Sequence, residues 1–305
     1  MVIALAIRIV VTAIFFGVIW YAADVTVLWA TVRAANPWGL LLAILLIFST
    51  IPLFAIRWLL VNRLLLITLP LQQSIVATAA SHMLNQTLPS TIGADGYRLL
   101  LLRKMGHSLS TAFSSILLDR ASGVIGLLLL ILLGQPFLVA HIDNPLLTRV
   151  SLGIQISILF GFIVARYSHV VTARLQQFRI TSTIENVMEH LNSRAEAKTI
   201  IWMVVISFVG QSVITGTVYV IGLSIGLELD FWMILFVFPP VYLLSMLPIT
   251  IAGWGVREGS MIAALTVLGT TSTDALALSI LFGGCMFVVG IIGGLIWLPS
   301  GTKLS

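Results

Sequence analysis

Strongly apolar stretches of the chain contain or border five ionisable residues: Arg98, Asp119, Arg120, Arg257 and Glu258. A charged side chain at the centre of a membrane span costs about 2.5–3.5 kcal/mol, so each group needs a partner of opposite charge or a polar cavity. The planar guanidinium of arginine also holds a phosphate group through two parallel hydrogen bonds. The five residues therefore indicate buried ion pairs, a binding site for phosphate, or both.

The spacing of the two acids limits their partners. Asp119 is next to Arg120, and Glu258 is next to Arg257. Neighbouring residues of a helix point about 100° apart, so they do not face each other. We therefore predict that each acid pairs with a more distant arginine. The expected partners are Arg98 or Arg257 for Asp119, and Arg120 for Glu258.

Two further polar positions accompany the charges. Asp95 precedes Gly96, where a helix could begin, so we predict that the Asp95 carboxylate caps that helix. Asn85 lies with Gln86 and Thr87 at the end of an apolar stretch. These side chains would line a polar pathway or lie at the membrane surface.

Patterns typical of enzymes and metal sites are not found in the sequence. His82 and His107 have no second histidine at ligand spacing. The sequence has no glycine-rich phosphate loop with lysine and no nucleophile elbow. Asp119 and Glu258 could serve as an acid and a base, but no other part of an active site accompanies them. We predict a protein that is not an enzyme and has no metal or cofactor.

The composition is typical of a membrane protein. Of the 305 residues, 59% are hydrophobic and only 9% are charged, against about 25% charged in soluble domains. So few charges exclude a soluble enzyme, a disordered chain and a coiled coil. The net charge of +5 is spread over short loops, so we predict no nucleic-acid partner.

Runs of about 20 apolar residues predict helices that cross the membrane, because a helix satisfies its own backbone in lipid. Six clear spans are predicted at 3–23, 38–60, 110–138, 148–167, 199–224 and 275–298. Residues 68–105 and 231–270 are apolar but broken by proline, glycine and charge. Residues 170–198 predict an amphipathic helix, either on the cytoplasmic membrane surface or as a solvated linker. The expected fold is one all-α polytopic membrane domain over 1–305.

The basic residues predict the orientation, since cytoplasmic loops are enriched in lysine and arginine. The connections after the second and fourth spans are rich in these residues, whereas the one after the fifth span carries only Glu228 and Asp230. The N-terminus is therefore predicted to be cytoplasmic, in a cell (inner) membrane. Residues 231–270 must then return to the side from which they start, as a re-entrant hairpin or as two crossings.

An internal repeat links the two broken segments. Residues 88–98 and 247–257 share six of eleven residues without a gap, at a constant offset of 159. Because the first run would enter from the cytoplasm and the second from outside, we predict inverted repeats, 1–150 and 151–305. Their re-entrant segments would meet around an arginine-lined hollow. The predicted helix breaks are Pro89, Gly93 and Gly96 in the first run and Pro248, Gly253 and Gly255 in the second.

Three motifs resemble the lysylphosphatidylglycerol synthase transmembrane (flippase-like) family. They are residues 89–95 with Arg98, the Leu-Asp-Arg run at 118–120 with Gly123, and the Gly-x-Gly-Val-Arg-Glu-Gly block at 253–259. The likeness runs in order over most of the chain, and the last block is its most specific part. Because the chain stops at Ser305, it resembles the membrane module without the soluble aminoacyl-transferase domain.

The resemblance implies translocation of a polar-headed phospho- or glycolipid between leaflets rather than its synthesis. On this interpretation Arg98, Arg120 and Arg257 bind the lipid phosphate, while Asp119 and Glu258 balance their charge. Two alternatives remain open. One is a transporter of a small soluble anion, which would have a central cavity closed to lipid. The other is a non-catalytic membrane partner of a glycolipid or lipid-modification pathway.

Overall fold

The computed structural model describes residues 25–87, 92–141, 194–246 and 253–300, together with positions 149, 152, 153 and 156. Within these residues the chain forms nine helices and no strands, which confirms an all-helical architecture for the described part. The helices are α1 (Val25–Ala34), α2 (Pro37–Leu64), α3 (Leu71–Thr87), α4 (Ile92–Lys104), α5 (Leu109–His141), α6 (Arg194–Ser224), α7 (Phe231–Ser245), α8 (Val256–Thr266) and α9 (Ser272–Trp297).

Four helices are long and apolar enough to cross a membrane. They cover Pro37–Leu64, Leu109–Phe137, Ala197–Ser224 and Ser272–Trp297, which coincide with four of the six predicted spans. Their outer faces carry large apolar side chains that are more than half exposed, such as Leu45, Leu133 and Leu295, and lipid would cover these. The chain is therefore a multi-pass membrane protein. The predicted span 3–23, most of the span 148–167 and most of the amphipathic helix 170–198 lie outside the described residues.

The starts of three helices follow from local sequence. The Asn36 side chain accepts a hydrogen bond from the backbone N–H of Trp38, and Pro37 occupies the first position of α2. Asp230 caps α7 and Thr271 caps α9 in the same way. These side chains satisfy backbone donors that a helix leaves unpaired at its first turn.

Each broken segment forms two helices shorter than the roughly 20 residues of a span: α3 and α4 in the first, α7 and α8 in the second. Pro89 and Pro248 lie outside the described residues. Gly253 and Gly255 precede α8 with φ of 77° and 92°, a conformation that glycine adopts readily.

The expected positions of Gly93, Gly96 and Asp95 were wrong. α4 begins at Ile92, so both glycines lie inside the helix and Asp95 is not its cap. Glycine inside a helix costs about 1 kcal/mol relative to alanine, which a packed helix can sustain. The two described helices of the first segment end at Thr87 and begin again at Ile92, before Gly93.

The order and spacing of the helices repeat. Adding 159 to the bounds of α2, α3, α4 and α5 gives 196–223, 230–246, 251–263 and 268–300, which overlap α6, α7, α8 and α9 in turn. We call α2–α5 the first half and α6–α9 the second half. The sequence repeat over eleven residues thus extends to four helices in each half.

The turns that end α2 and α6 also match. The N–H of Ile67 donates to the Asn62 carbonyl at 2.8 Å, and the N–H of Leu227 donates to the Gly222 carbonyl at 3.0 Å. Each turn contains one residue with positive φ, Leu66 at 55° in the first half and Gly226 at 80° in the second. This geometry closes helix C-termini, and it recurs after 160 residues.

The equivalent helices α2 and α6 pack against each other in opposite directions. The Asn36 N–H at the start of α2 donates to the carbonyl of Ser224 at the end of α6, at 2.7 Å. Further along α2, Arg57 contacts Ser207, which lies earlier on α6. Contacts that advance on one helix while they retreat on the other define an antiparallel pair.

The remaining contacts between the halves are reciprocal. A Cβ on Gly134 of α5 would collide with Phe236 of α7, and a Cβ on Gly293 of α9 would collide with Ala79 of α3. The two glycines are 159 residues apart. Each half therefore packs one of its long helices on the short helix of the other half, as in an interface with two-fold symmetry.

Candidate functional site

A buried cluster of three charged side chains lies in the first half; we call Arg57, Arg98 and Asp119 cluster 1. Arg57 Nε donates to Asp119 Oδ1 and Arg98 Nη1 donates to Asp119 Oδ2, each at 2.8 Å. All three side chains are at least nine-tenths buried, with exposed fractions of 9%, 10% and 5%. Two guanidinium groups on one carboxylate leave the cluster with a net charge of +1.

Several helices hold the two arginines of cluster 1 in place. Arg57 Nη1 donates to the Ser207 hydroxyl on α6 at 3.3 Å, and Arg98 Nη2 donates to the Thr78 hydroxyl on α3 at 3.2 Å. The Arg98 guanidinium also lies 4.7 Å from the centre of the Trp58 ring. Such a cation–π contact contributes about 0.5–2 kcal/mol. Cluster 1 therefore depends on the packing of α2–α5 and on α6 from the second half.

The Trp58 ring is itself fixed by a buried hydrogen-bond chain. Its Nε1–H donates to the Ser115 hydroxyl, which donates to Asn62 Oδ1, both at 2.9 Å. The Asn62 side chain then donates to the Trp58 carbonyl at 2.8 Å. The ring under Arg98 is thus pre-positioned without any contribution from the arginine.

Buried polar atoms of the first half and of α6 lack hydrogen-bond partners. Arg98 Nε is a donor without an acceptor, whereas Asn85 Oδ1 and Gln211 Oε1 are acceptors without a donor. An unsatisfied buried polar group costs about 1–3 kcal/mol. Groups of this kind commonly mark a place for a ligand or water.

The second half holds a smaller cluster, which we call cluster 2: Arg257, Glu258 and Ser279. Arg257 Nη2 donates to Glu258 Oε1 at 2.6 Å, and the Ser279 hydroxyl donates to the same oxygen at 3.0 Å. The backbone N–H of Gly255 donates to Glu258 Oε2. Glu258 is fully buried. One guanidinium on one carboxylate leaves cluster 2 with no net charge.

Cluster 2 corrects the expected pairing of Glu258. Its partner is the adjacent Arg257 and not Arg120. The directions of neighbouring Cβ atoms on a helix diverge, but both side chains are long enough to turn back toward each other. Glu258 also occupies the third position of α8, where its carboxylate accepts from the residue before the helix. Asp119 pairs with Arg98, which was one of its two expected partners, and not with Arg257. Its second partner is Arg57, which was not expected.

Arg120 pairs instead with Asp95, from α5 to α4, at 2.7 Å. The two side chains are 40% and 27% exposed. Partly exposed ion pairs of this type contribute about 0–1 kcal/mol. The role of Asp95 is therefore to accept from Arg120 rather than to cap a helix.

Among the described residues, no ion pair joins cluster 1 to cluster 2. Tyr242, on α7, lies on the aromatic side of cluster 2. Its ring packs on Phe282, 6.4 Å between centres, and Phe282 lies beside Arg257.

Sequence reasoning missed Arg57. This residue lies inside the predicted span 38–60, and an ionisable residue within a span is by itself a signal of function. Its position near the end of that span makes it resemble a residue whose charged end reaches the membrane surface. The structure instead directs it to Asp119, inside the bundle.

The chemistry available at the two clusters is the binding of anions. Arginines with carboxylates and hydroxyls supply charge and hydrogen-bond donors. No group of three His, Cys, Asp or Glu side chains that could hold a metal ion occurs among the described residues.

The family model for the lysylphosphatidylglycerol synthase TM region matches residues 3–294. The chain belongs to this family. It is also similar to the UPF0104 membrane protein MJ1078 of Methanocaldococcus jannaschii, with 25% identity over 207 residues, which cover 65% of this chain and 86% of that protein. Membership of the lysylphosphatidylglycerol synthase TM family confirms the resemblance seen in the motifs. It fits a membrane protein with a lipid-related role.

Proposed function

We propose that this protein translocates a polar-headed phospho- or glycolipid between the leaflets of a cell (inner) membrane. The observation that carries the proposal is that Arg98 and Arg257 are buried and charge-paired at equivalent positions of the repeat. A phosphate does not enter hydrocarbon unaided, because an ion loses its hydration there. Arginines at membrane depth would replace that hydration while the acyl chains stay in the bilayer.

The antiparallel packing of α2 on α6 supports an inverted repeat. If α2 crosses the membrane in one direction, its equivalent α6 crosses in the other. The short helices α3–α4 and α7–α8 would then enter from opposite faces as re-entrant segments, with a cytoplasmic N-terminus. Rocking of one half against the other would open the clusters to one leaflet at a time.

The proposed roles of the charged residues follow their burial. Arg98, Arg120 and Arg257 would contact the phosphate during transit, with Arg120 as the more exposed contact. Asp119 and Glu258 would balance the charge when the site is empty, and Asn85 would accept a hydrogen bond from the headgroup. The proposed activity is transport, and it includes no catalytic step.

Translocation can be measured with the purified protein in vesicles that contain a fluorescent phospholipid. A quencher added outside the vesicles removes only the fluorescence of the outer leaflet. Inner-leaflet fluorescence is lost as the lipid exchanges between leaflets, so a faster loss than in protein-free vesicles reports translocation. Arg120→Ala and Arg257→Ala are each expected to slow exchange about tenfold, which is the loss of one charge-assisted hydrogen bond. The matched control is Arg63→Ala, at an exposed position of α2. Equal rates in all four proteins would contradict the proposal.

A second candidate function is the transport of a small soluble anion, which the +1 charge of cluster 1 favours. The same vesicles distinguish the two. Uptake of labelled inorganic phosphate without exchange of the lipid would favour the soluble anion.

A further inference from the structure

We propose that cluster 1 is an oxyanion subsite in which Arg57 and Arg98 bind one phosphodiester group, and that Arg57 is a binding residue that the second half lacks. This inference deepens the proposed function and rests on it for the source of the phosphodiester. Binding at the subsite is nevertheless measurable without translocation.

The charge of cluster 1 is the first argument. Two buried guanidinium groups share a single carboxylate. The nearby Asp95 is paired with Arg120, so it does not neutralise the surplus. A buried charge without a partner is strongly unfavourable. A singly charged phosphodiester would neutralise cluster 1.

The free hydrogen-bond donors are the second argument. Arg98 Nε is buried and has no acceptor. Arg57 uses Nε and Nη1 for its hydrogen bonds to the described residues, so its Nη2 group is available. Donors from two guanidinium groups match the two non-bridging oxygens of a phosphodiester.

Cluster 2 lacks the surplus charge and has no counterpart of the buried, unpaired Arg98 Nε. Its carboxylate neutralises its single arginine, and Glu258 accepts from Arg257, Ser279 and the Gly255 backbone. Among the described residues, no buried polar atom of cluster 2 is without a partner. An added anion would meet no net charge there while Arg257 stays paired with Glu258. The resting subsite therefore belongs to the first half, and Arg257 would contact the phosphate only during transit.

Two unpaired acceptors lie on the helices whose hydroxyls contact the arginines of cluster 1, and they indicate which headgroup fits. Gln211 Oε1 lies one helical turn after Ser207, the residue that contacts Arg57, and Asn85 Oδ1 lies two turns after Thr78, which contacts Arg98. Both need a donor. A phosphodiester whose headgroup carries hydroxyl groups supplies donors, whereas the quaternary ammonium of phosphatidylcholine supplies none.

The test is the affinity of the full-length protein in detergent for phosphatidylglycerol and for phosphatidylcholine, measured by native mass spectrometry. The wild type is expected to bind phosphatidylglycerol about tenfold more tightly. Arg57→Gln leaves Arg98 and Asp119 as a neutral pair, and it should weaken phosphatidylglycerol binding about tenfold or more. Arg63→Gln, on the same helix but exposed, is the matched control and should bind as the wild type does.

Arg57→Lys provides a second variant if Arg57→Gln does not fold. It keeps the charge and removes the planar fork, so its affinity should lie between those of the wild type and the glutamine variant. Unchanged phosphatidylglycerol affinity in the folded Arg57 variants would overturn the proposal.

Inorganic phosphate separates the two sources of the oxyanion. Phosphatidylglycerol binding that depends on Arg57 and resists inorganic phosphate assigns the subsite to a lipid. Displacement of the lipid by inorganic phosphate assigns the same subsite to a soluble anion. If neither phosphatidylglycerol nor inorganic phosphate binds, the proposed subsite is overturned. Arg57-dependent binding without lipid exchange would contradict translocation only. Lipid exchange with no dependence of binding on Arg57 would contradict the subsite only.

Discussion

The two halves of the molecule place an arginine at the same position of the repeat and neutralise it in different ways. Arg98 receives its carboxylate from the following long helix, where Asp119 bridges to a second arginine. In the second half, the residue 159 positions after Asp119 is Leu278, which is not an acid. The carboxylate there comes from Glu258, beside Arg257 on the same short helix.

This difference determines how many charges each cluster contains. A carboxylate on α5 reaches α2 and α4 together, so it holds Arg57 as well as Arg98. A carboxylate on α8 is occupied by its own neighbour and by the helix start. The position equivalent to Arg57 is Gly216. The same arrangement of helices thus carries an electropositive cluster in the first half and a neutral cluster in the second.

The largest effect is expected from Asp119→Asn, which leaves two buried arginines without a counter-charge. The free energy of unfolding should fall by about 3–5 kcal/mol, measured by thermal or denaturant unfolding in detergent. Adding Arg57→Gln to this variant removes one of the two unpaired charges and should recover part of the loss. Wild-type stability of Asp119→Asn would mean that cluster 1 is solvated rather than buried.

A smaller loss, about 3 kcal/mol, is expected from Glu258→Gln, because only one arginine is left unpaired. The comparison becomes sharper if Ser279→Asp is added, since it places a carboxylate where the Ser279 hydroxyl accepts from Arg257 Nε at 3.2 Å. Part of the lost stability should return. A further loss on adding Ser279→Asp would contradict the closeness of residue 279 to the unpaired Arg257.

The smallest effects are expected at two glycines that contact the arginines, Gly283 in the second half and Gly123 in the first. A Cβ on Gly283 would press on the Arg257 guanidinium and lie 2.9 Å from Trp254, whereas a Cβ on Gly123 would lie 3.0 Å from Arg57 Nη1. Gly283→Ala should cost about 1–3 kcal/mol of unfolding free energy, and Gly123→Ala less. A larger loss of stability in Gly123→Ala than in Gly283→Ala would contradict the tighter packing around Arg257 than around Arg57.

Much of the fold could be predicted from the sequence. Hydropathy located the four long helices to within a few residues, because each apolar residue contributes to membrane insertion largely on its own. Proline, glycine and charge also predicted the two broken segments, which the eleven-residue repeat at an offset of 159 related to each other. The break positions were less accurate, since Gly93 and Gly96 are compatible with a packed helix.

The candidate site was predictable in its membership but not in its pairing. Arg98, Asp119, Arg257 and Glu258 were identified because charges in apolar segments are costly. Arg57 was missed, and Glu258 was given the wrong partner. Arg57 and Asp119 are 62 residues apart, and the local sequence around either residue does not predict contact with the other.

The sequence by itself determined a multi-pass helical membrane protein, its repeat and the presence of charges in apolar segments. Only the tertiary structure decided that Asp119 holds two arginines while Glu258 holds one, and that α2 and α6 pack antiparallel. The physical reason is that transfer into lipid is a property of each segment, whereas the distance between two charges depends on how separate helices pack. The electropositive character of cluster 1 is therefore a consequence of packing.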